Sequence, residues 1–381
     1  MEKLKIGLVL DDSLDKTDGV QQYVLTLGHW LEQTGHQVHY LVGETRRKDI
    51  PRLHSLSRNR QVHFNQNRMS IPMPANASRI QTLLEKEKFD VLHVQMPYSP
   101  WLAGRIVRAA PPTTVIIGTF HIIPYSGLEA VATRLLAAYL WRSRRRFDHV
   151  FSVSPAAAKF ARKAFRVSSQ VLPNAVALSR FHSASSYARY NDGKLNIVFL
   201  GRLVPRKGCK QLLEAIQILH SEGRLDNVRV IICGKGPMRG QLEEYVHDNH
   251  LAHHVSFIGF VTEADKPKYL ASADIAIFPS TGGESFGIVL IEAMAAARGV
   301  VLGGDNVGYR SVLGDRPKQL FETADIKALA KSLRHFLRHT RLRQAAYVWQ
   351  QEAVVQYDIR VIGDTLVKIY LHTLQTKRQM R

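Results

Sequence analysis

The chain has 381 residues, more than one hydrophobic core comfortably organises, so two domains are the first expectation. Its apolar content of 45% and charged content of 22% are ordinary for a globular protein. The two cysteines, Cys209 and Cys233, exclude a disulfide framework and suit a reducing cytoplasm. No stretch resembles a signal peptide or approaches the roughly 18–20 apolar residues of a membrane span, so we expect a cytoplasmic protein, soluble or peripheral.

The net charge of +20 is unusual and unevenly distributed. Residues 46–180 carry 22 Lys and Arg residues against 6 Asp and Glu residues. A basic surface of this kind attracts polyanions, among them anionic lipids, nucleotides and nucleic acids. A solvated basic face without a dedicated partner is the alternative interpretation.

Short apolar runs typical of strands alternate with helical patterns in the first half of the chain. The predicted strands are Leu4–Leu10, Val38–Val42, Val91–Val94, Thr114–Phe120 and Val150–Val153. The predicted helices include Val20–Gln33, Ala77–Lys88, Leu128–Arg146 and Pro155–Phe165. This alternation predicts a parallel sheet with helices on both faces. The polar, Arg-rich residues 44–75 are predicted to form a long mobile loop with one strand near Val62–Phe64.

The alternation restarts after Pro173–Gly193, whose composition is typical of a linker. The predicted strands are Asn196–Leu200, Arg229–Cys233, Val255–Ile258, Ile275–Phe278 and Val300–Leu302. The predicted helices are Lys210–His220, Met238–His247, Ala264–Ala271, Gly287–Ala296 and Ile326–His339. The tail, Leu342–Met380, is amphipathic and helix-prone with no strand after it. We therefore expect a terminal helix that packs back on the first domain.

These patterns predict an α/β protein of two Rossmann-like domains that face each other across a cleft. The expected N-terminal domain is 1–176, with a C-terminal helix at about 360–381 packed against it, and the second domain is 177–359. Open α/β sheets bind ligands beyond the carboxyl ends of their strands. The chemistry is therefore expected on loops that follow strands in both halves.

The segment Thr281–Ala296 contains the strongest candidate site. Its glycines follow a predicted strand and open a helix, where backbone N–H groups and the helix N-terminus favour an anion or a sugar hydroxyl. Glu284 lies in the loop and Glu292 lies about two helical turns further on. Two carboxylates so placed could accept hydrogen bonds from a polyol ligand. A capped helix with Glu292 on the surface is the alternative.

The sequence Gly-Gly-Glu284-Ser-Phe-Gly-Ile-Val-Leu-Ile-Glu292-Ala-Met-Ala resembles the donor-site signature of retaining glycosyltransferases. The motifs are closest to those of the bacterial phosphatidylinositol alpha-mannosyltransferases. This resemblance spans most of the chain and implies the glycosyltransferase-B fold. It also implies a nucleotide-sugar donor, with no cofactor and no metal required.

The resemblance assigns roles to individual residues. It implies that Arg202 and Lys207 hold the donor diphosphate, that Glu284 holds the sugar hydroxyls and that Glu292 holds the ribose. The other implied donor-binding residues are Gly19, Val261, Lys266, Ser285, Phe286, Gly287 and Ile288, with Val261 and Lys266 flanking a guanine. The implied acceptor-side residues are Gln21 and His121, and His121 also lies near the reacting centre. A buried structural histidine is the alternative for His121.

Several positions depart from the family pattern. Asp18 replaces the first glycine of the usual Gly-Gly-Val loop, Ala175 replaces the glycine of Pro-Asn-Gly, and Ala297 replaces a further glycine. Asp11 and Asp12 stand near the acceptor, where relatives often carry other residues. The departures spare the donor residues and therefore bear on the identity of the acceptor.

The expected mechanism is front-face attack, in which the departing phosphate oxygen takes the acceptor proton. His121, Glu284, Arg202 and Lys207 are the expected catalytic residues, and they act by stabilising charge. No His, Asp and Cys cluster has the spacing of a metal site.

The segment Leu128–Phe147 has the pattern of a basic amphipathic helix that lies on anionic lipid. Its expected membrane contacts are Arg134, Arg142, Arg144, Arg145 and Arg146. An ordinary core-facing helix with solvated arginines is the alternative.

The sequence thus predicts transfer of a hexose, most simply α-mannose from GDP-mannose, to a lipid-linked or phosphatidylinositol-type acceptor. The enzyme is expected at the inner face of the cell membrane. A UDP-sugar transferase for surface polysaccharide or diacylglycerol glycolipid is the first alternative. A basic nucleic-acid-binding protein is more remote, because neither interleaved aromatic residues nor a known binding module is present, so no nucleic acid partner is expected.

Overall fold

The fold is described from a computed structural model of the chain. The structure describes residues 2–16, 18–64, 67–123, 136 and 140–380, with the backbone alone for residues 60–72. The chain divides into two compact units, Met1–Ala175 with Ile359–Arg381 and Val176–Asp358. Both dividing points lie within one residue of the predicted domain boundaries. That the units are separate functional domains stays a prediction.

The N-terminal unit has one large parallel sheet and one small hairpin. Its strands are β1 (Lys5–Leu10), β2 (Gln37–Val42), β3 (Leu53–Ser55), β4 (Asn59–Phe64), β5 (Asn67–Pro72), β6 (Val91–Val94), β7 (Val115–Phe120), β8 (His149–Ser152) and β9 (Gln170–Val171). Its described helices up to this point are α1 (Gly19–Gln33), α2 (Ala77–Glu87), α3 (Leu102–Ala109), α4 (Trp141–Arg144) and α5 (Pro155–Phe165). The sheet order is β3-β2-β1-β6-β7-β8-β9, and β4 pairs with β5.

The C-terminal unit repeats this parallel architecture. Its strands are β10 (Leu195–Leu200), β11 (Val228–Cys233), β12 (Val255–Gly259), β13 (Ile275–Phe278), β14 (Val300–Gly304) and β15 (Leu320–Phe321), in the order β12-β11-β10-β13-β14-β15. Its α-helices are α6 (Ser179–His182), α7 (Cys209–Ser221), α8 (Arg239–Asp248), α9 (Lys266–Ala271), α10 (Ile288–Ala296), α11 (Arg310–Leu313), α12 (Ile326–Arg338) and α13 (Thr340–Ala353). Short 3₁₀ turns occupy Ala188–Tyr190, Pro205–Lys207, Pro317–Gln319 and Val354–Tyr357.

Residues 44–75 are predicted to form a long mobile loop with one strand near Val62–Phe64. That strand is present within β4 (Asn59–Phe64), whereas the loop prediction is wrong at β3 and β5. β3 pairs in parallel with β2 at the edge of the sheet, and β4 and β5 form an antiparallel hairpin. Residues 59–64 and 67–72 satisfy one another's backbone hydrogen bonds in this hairpin, so their polar composition does not prevent strand formation. Composition alone therefore misled the prediction.

Three further segments differ from the prediction or lie partly outside the described residues. The helix predicted at Leu128–Arg146 falls largely outside the described residues, and its described end contains the short α4. The helix α3 was not predicted. The segment predicted as a linker contains α6 and one 3₁₀ turn.

The terminal helix α14 (Ile359–Gln379) belongs to the N-terminal unit. It packs against α1 so closely that a Cβ at Gly363 would lie 2.4 Å from a ring atom of Trp30. The hydroxyl of Tyr370 lies 2.6 Å from Nδ1 of His93 in the centre of the sheet. The amphipathic pattern of the tail is therefore explained by burial of one face against the first unit.

Both sheets reverse their strand order at one place. The reversal lies between β1 and β6 in the N-terminal unit and between β10 and β13 in the C-terminal unit. Loops leave the carboxyl ends of these neighbouring strands in opposite directions and open a crevice, which is where open α/β sheets bind ligands.

Candidate functional site

In the C-terminal unit, Glu284 is held in the loop after β13 by three donors. Arg206 Nη1, Lys207 Nζ and Ser280 Oγ each donate to Glu284 Oε1 at 2.8 Å. Arg206 and Lys207 lie in the 3₁₀ turn Pro205–Lys207, which follows β10. Their hydrogen bonds to Glu284 therefore join the loop after β10 to the loop after the neighbouring strand β13. Burial alone would raise the pKa of Glu284, but Lys207 and Arg206 outweigh it and hold this pKa at about 2. The carboxylate is therefore ionised at every working pH.

The glycines of this crevice allow backbones to approach closely. Gly208 has a φ of 74°, and a Cβ there would lie 1.9 Å from the carbonyl oxygen of Pro279. A Cβ at Gly308 would lie 2.1 Å from the carbonyl oxygen of Glu284. Any side chain at either position would displace the loop that carries Glu284.

Glu292 lies inside α10 and is 6% exposed. Its Oε1 accepts from Lys266 Nζ at 2.7 Å, and the same ammonium lies 2.8 Å from Glu263 Oε2. Burial raises the pKa of Glu292 and Lys266 opposes this rise. The alternative of a surface Glu292 is wrong, since the helix buries it against α9.

The other predicted donor residues lie at the carboxyl edge of the same sheet. They are Arg202 after β10, Val261 after β12, and Ser285, Phe286, Gly287 and Ile288 between β13 and the first turn of α10. Gly287 has a φ of 123°, and a Cβ there would lie 2.8 Å from the ring of Tyr309, so this turn requires glycine. Direct contacts join Lys207 to Glu284 and Lys266 to Glu292. The donor roles of all these residues stay predictions.

In the N-terminal unit, two acceptor-side residues lie at the carboxyl ends of β1, β6 and β7. Gln21 Nε2 donates to Asp12 Oδ2 at 3.0 Å, and His121 Nε2 lies 2.8 Å from Gln95 Oε1. Gly19 is the first residue of α1. No hydrogen bond joins Gln21 to His121 among the described residues, so the structure gives each its own partner.

Four buried polar atoms of the N-terminal unit make no hydrogen bond of standard geometry within the described part of the chain: Nδ1 of His121, Nε2 of Gln95, Oδ1 of Asn174 and Oδ2 of Asp11. Only looser contacts link His121 to Asn174 and Asp11 to Ser99. Such atoms are rare in native proteins and call for a ligand or a bound water. Hydroxyl groups of a polyol supply both the donors and the acceptors that these atoms lack.

Sequence reasoning missed three of these neighbours. Arg206 lies beside the predicted Lys207 in Pro-Arg-Lys-Gly, and no sequence spacing indicated that both cations bind the Glu284 carboxylate. Gln95 follows β6 directly, which the strand-end rule could have detected. Asn174 stands in the Pro-Asn-Ala motif, which the sequence analysis read only as a departure at Ala175.

Two departures from the family glycines have a backbone explanation. Ala297 caps the end of α10 with a φ of −66°, and Asp18 caps the start of α1 with a φ of −73°. Both conformations suit ordinary residues, so neither position needs glycine in this chain. The carboxylate of Asp18 favours the helix N-terminus and disfavours a second anion there.

Buried histidines make the N-terminal unit sensitive to acid. Burial lowers the pKa of His93 and His121 to about 3 and that of His39 to about 4. The folded state keeps these rings neutral, whereas the unfolded chain binds protons below pH about 6.5, so their contribution to stability falls as the pH falls. Burial raises the pKa of Asp11 to about 7, which acts in the opposite direction.

We therefore expect the free energy of unfolding to be at least about 2 kcal/mol lower at pH 5 than at pH 6.5. Each histidine that stays neutral in the folded protein but is protonated in the unfolded chain lowers this free energy by up to about 1.4 kcal/mol for each unit that the pH falls, and Asp11 offsets part of the sum. Urea unfolding at both values measures it. His121→Gln should reduce the slope of stability against pH by about one proton. An unchanged slope would mean that the folded protein already protonates His121 in this range.

The predicted membrane arginines have different environments. Arg142 and Arg145 are exposed, and their guanidinium groups lie 5.8 Å and 4.6 Å from the ring centroid of Trp141. Arg146 is half-buried, and its Nη2 donates to the carbonyl oxygen of Ala110 at 2.6 Å. Arg146 is thus tied to the loop before β7. Arg134 lies outside the described residues.

Within the described ranges, no helix is long and apolar enough to cross a membrane. The same ranges contain no group of three His, Cys, Asp or Glu side chains arranged to hold a metal ion.

Comparison with known proteins identifies the family. The Glycosyltransferase Family 4 model matches residues 17–180, and the Glycosyl transferases group 1 model matches residues 187–348. The phosphatidyl-myo-inositol mannosyltransferase of Mycobacterium leprae (strain TN) is 31% identical, over 96% of each chain. A GDP-mannose-dependent alpha-(1-6)-phosphatidylinositol monomannoside mannosyltransferase of Mycolicibacterium smegmatis (strain ATCC 700084 / mc(2)155) is 26% identical, over 72% of this chain and 74% of that one.

Among solved structures, a sucrose-phosphate synthase from Thermosynechococcus elongatus matches with a TM-score of 0.77 and 17% identity. The match covers 98% of this chain and 100% of that one, and it confirms the predicted glycosyltransferase-B fold. The resemblance inferred from Glu284 and Glu292 is confirmed as well. The chain belongs to the group 1 glycosyltransferases, in the family of the phosphatidyl-myo-inositol mannosyltransferases, and is a hexosyltransferase that uses a nucleotide-sugar donor.

Proposed function

We propose that this glycosyltransferase moves an α-mannosyl group from GDP-mannose to phosphatidylinositol or a closely related inositol lipid. The observation that carries the proposal is the half-buried Glu284 carboxylate with two cations on one oxygen, placed at the crevice between β10 and β13. It is supported by the phosphatidyl-myo-inositol mannosyltransferase of M. leprae, a near full-length relative.

On the donor side, charge is arranged for a sugar diphosphate. Arg202 and Lys207 neutralise the diphosphate, and burial lowers the pKa of Lys207 while Glu284 opposes that change. Arg206 and Lys207 fix Oε1 of Glu284, so that its carboxylate accepts hydrogen bonds from sugar hydroxyls in a set orientation. Glu292, fixed by Lys266, accepts from the ribose.

In the reaction, the bond between the anomeric carbon and the phosphate oxygen breaks and a bond to the acceptor oxygen forms on the same face. The acceptor proton passes to the departing phosphate oxygen, so GDP leaves with that proton. Preorganised donors stabilise the negative charge that develops on the diphosphate. His121 acts as a neutral hydrogen-bonding group, since burial holds its pKa at about 3.

The proposal predicts that the protein binds GDP more tightly than UDP. The support is Val261 after β12 and Lys266 in α9, the two positions that the family resemblance implies to flank a guanine. Isothermal titration of GDP, UDP and ADP measures the three affinities under one condition. Tighter binding of UDP would instead support a UDP-sugar transferase that builds surface polysaccharide or a diacylglycerol glycolipid.

We also propose that the first unit binds anionic membranes reversibly at the inner face of the cell membrane. Coulomb attraction to a lipid surface is screened within about 8–10 Å at physiological salt, so vesicle binding should weaken steeply as salt rises. Replacing exposed Arg142 and Arg145 by Gln should weaken flotation with anionic vesicles and leave GDP affinity unchanged. Arg146 is left intact because it holds the Ala110 carbonyl. Undiminished flotation of the variant would show that these arginines are only solvated.

A further inference from the structure

A cavity of about 510 Å³ lies at the amino-end edge of the N-terminal sheet, beside the first residues of β8 and β9. His121 lies at the other edge of the same sheet, at the carboxyl end of β7. The cavity is lined by Arg144, the start of β8 from Phe147 to Val150, and residues 167–170. It is therefore separate from the crevice that holds the acceptor-side residues.

The cationic group of this cavity lacks an acceptor. Nε of Arg144 is buried without a hydrogen-bond partner in the described part of the chain. Burial, and next the positive charge of Arg166, lower the pKa of Arg144. A buried N–H without an acceptor is unfavourable unless an anion or a water accepts from it, and the positive charge of Arg166 nearby favours an anion.

The carboxylate in the lining cannot serve as this anion. Asp148 Oδ2 accepts from the backbone N–H of Ile116 at 2.7 Å, and both its oxygens accept from Lys377 Nζ at 2.7 and 2.9 Å. Asp148 is the single acidic residue among the lining residues, all of which are described. The sequence supplies no other nearby acid, since none occurs from His149 to Asn191.

We propose that this cavity binds a phosphate group. Arg144 supplies the charge inside the cavity, and its planar guanidinium matches the geometry of phosphate oxygens. Arg166 adds positive charge from outside the lining, and the hydroxyl of Ser168, a lining residue, is a neutral donor of the kind phosphate accepts.

The exposed Trp141 indicates where the phosphate comes from. Trp141 is 43% exposed, and Arg144 and Arg145 follow it at the spacings that share one helix face. An exposed tryptophan beside arginines is typical of a side chain that sits at the headgroup level of a membrane. A phospholipid headgroup therefore fits the cavity better than a soluble phosphate. The inference rests on the N-terminal unit alone and does not depend on the proposed mannosyl transfer.

The test compares Arg144→Gln with Arg162→Gln. Arg162 lies exposed on the last turn of α5, outside the lining, and the two changes remove the same charge from the same unit. Co-sedimentation uses vesicles of phosphatidylcholine with 20% phosphatidic acid. We expect Arg144→Gln to weaken binding at least about fivefold and Arg162→Gln to weaken it less than twofold. Arg166→Asn, which keeps a residue that tolerates the φ of 52°, should behave like Arg144→Gln.

Inorganic phosphate is the second probe, because it separates the two sources of the ligand. Loss of vesicle binding in Arg144→Gln, and not in the control, supports a headgroup site. If vesicles bind all variants equally but phosphate raises the melting temperature of wild type and not of Arg144→Gln, the site stands with a soluble phosphate as its ligand. Equal losses in Arg144→Gln and Arg162→Gln, or no loss in either assay, would overturn the proposal. Unchanged thermal unfolding of each variant without ligand shows that it is folded.

Discussion

Glu284→Gln is expected to reduce sugar transfer at least about 100-fold while the C-terminal unit remains folded. The glutamine keeps the shape but loses the charge that orders Arg206 and Lys207 around Oε1. Charge-assisted hydrogen bonds to the donor are worth about 1.5–3 kcal/mol each, and about 2.7 kcal/mol corresponds to a hundredfold in rate. Steady-state transfer of labelled mannose measures the effect.

The same substitution is expected to lower stability above pH about 4.5. The pKa of Glu284 is about 2 in the folded protein, below its ordinary value of 4.5, so its contribution is present above pH 4.5 and is lost as the pH falls through 2. Thermal unfolding at pH 7 should therefore show a lower melting temperature for the variant. Glu243→Gln is the matched control, since its carboxylate pairs with Arg239 on the surface of the same unit. Turnover of Glu284→Gln close to that of wild type would exclude Glu284 from the donor site.

Substitutions of the buried pair Lys266 and Glu292 should affect the free energy of unfolding and the affinity for GDP in different ways. Lys266→Met leaves the Glu292 carboxylate buried without the ammonium that lies 2.7 Å from it. Removing one partner of a buried pair typically costs about 3–5 kcal/mol. Adding Glu292→Gln to the same chain removes the unpaired charge and should restore most of this loss in urea unfolding.

Donor binding should not recover in that double variant. We expect three variants to bind GDP at least about tenfold more weakly than wild type: Glu292→Ala, Lys266→Met, and Lys266→Met combined with Glu292→Gln. In each of them the carboxylate that accepts from the ribose is lost or misplaced. Glu292→Ala should also reduce transfer about 100-fold. Titration calorimetry on Glu292→Ala, which keeps Lys266, gives the value for Glu292 alone. If the double variant binds GDP as tightly as wild type, Glu292 has a structural role and does not contact the ribose.

The order of local patterns determined the fold of this chain. Short continuous apolar runs and helical stretches alternate, and a parallel sheet with helices on both faces is the arrangement that buries them. The Gly-Gly-Glu284 to Glu292 motif also indicated its chemistry, because the glycines and carboxylates of a donor loop lie close together in the sequence. Where an interaction is local, the sequence contains both partners and their spacing.

The hairpin of residues 59–72 shows where local patterns fail. The strand near Val62–Phe64 was predicted, but its partner β5 was not, because their pairing depends on which backbone groups meet and composition does not encode this. Arg146 shows the same limit for charge. Its guanidinium holds the Ala110 carbonyl 36 residues away, whereas the sequence indicated a free basic face.

The tertiary structure alone decided which side chains complete the site. Arg206 reaches Glu284 across 78 residues, Lys266 reaches Glu292 across 26, and Gln95 reaches His121 across 26. These partners come from neighbouring strands or from helices packed on them, so their distance in sequence carries no signal. Packing then sets their charge states. Burial in a low-dielectric interior keeps His121 neutral. The same burial would favour the protonated form of Glu284, which is ionised because Lys207 and Arg206 lie beside it. Sequence determined the fold and the donor motif, and the packing of distant elements determined the partners and their protonation.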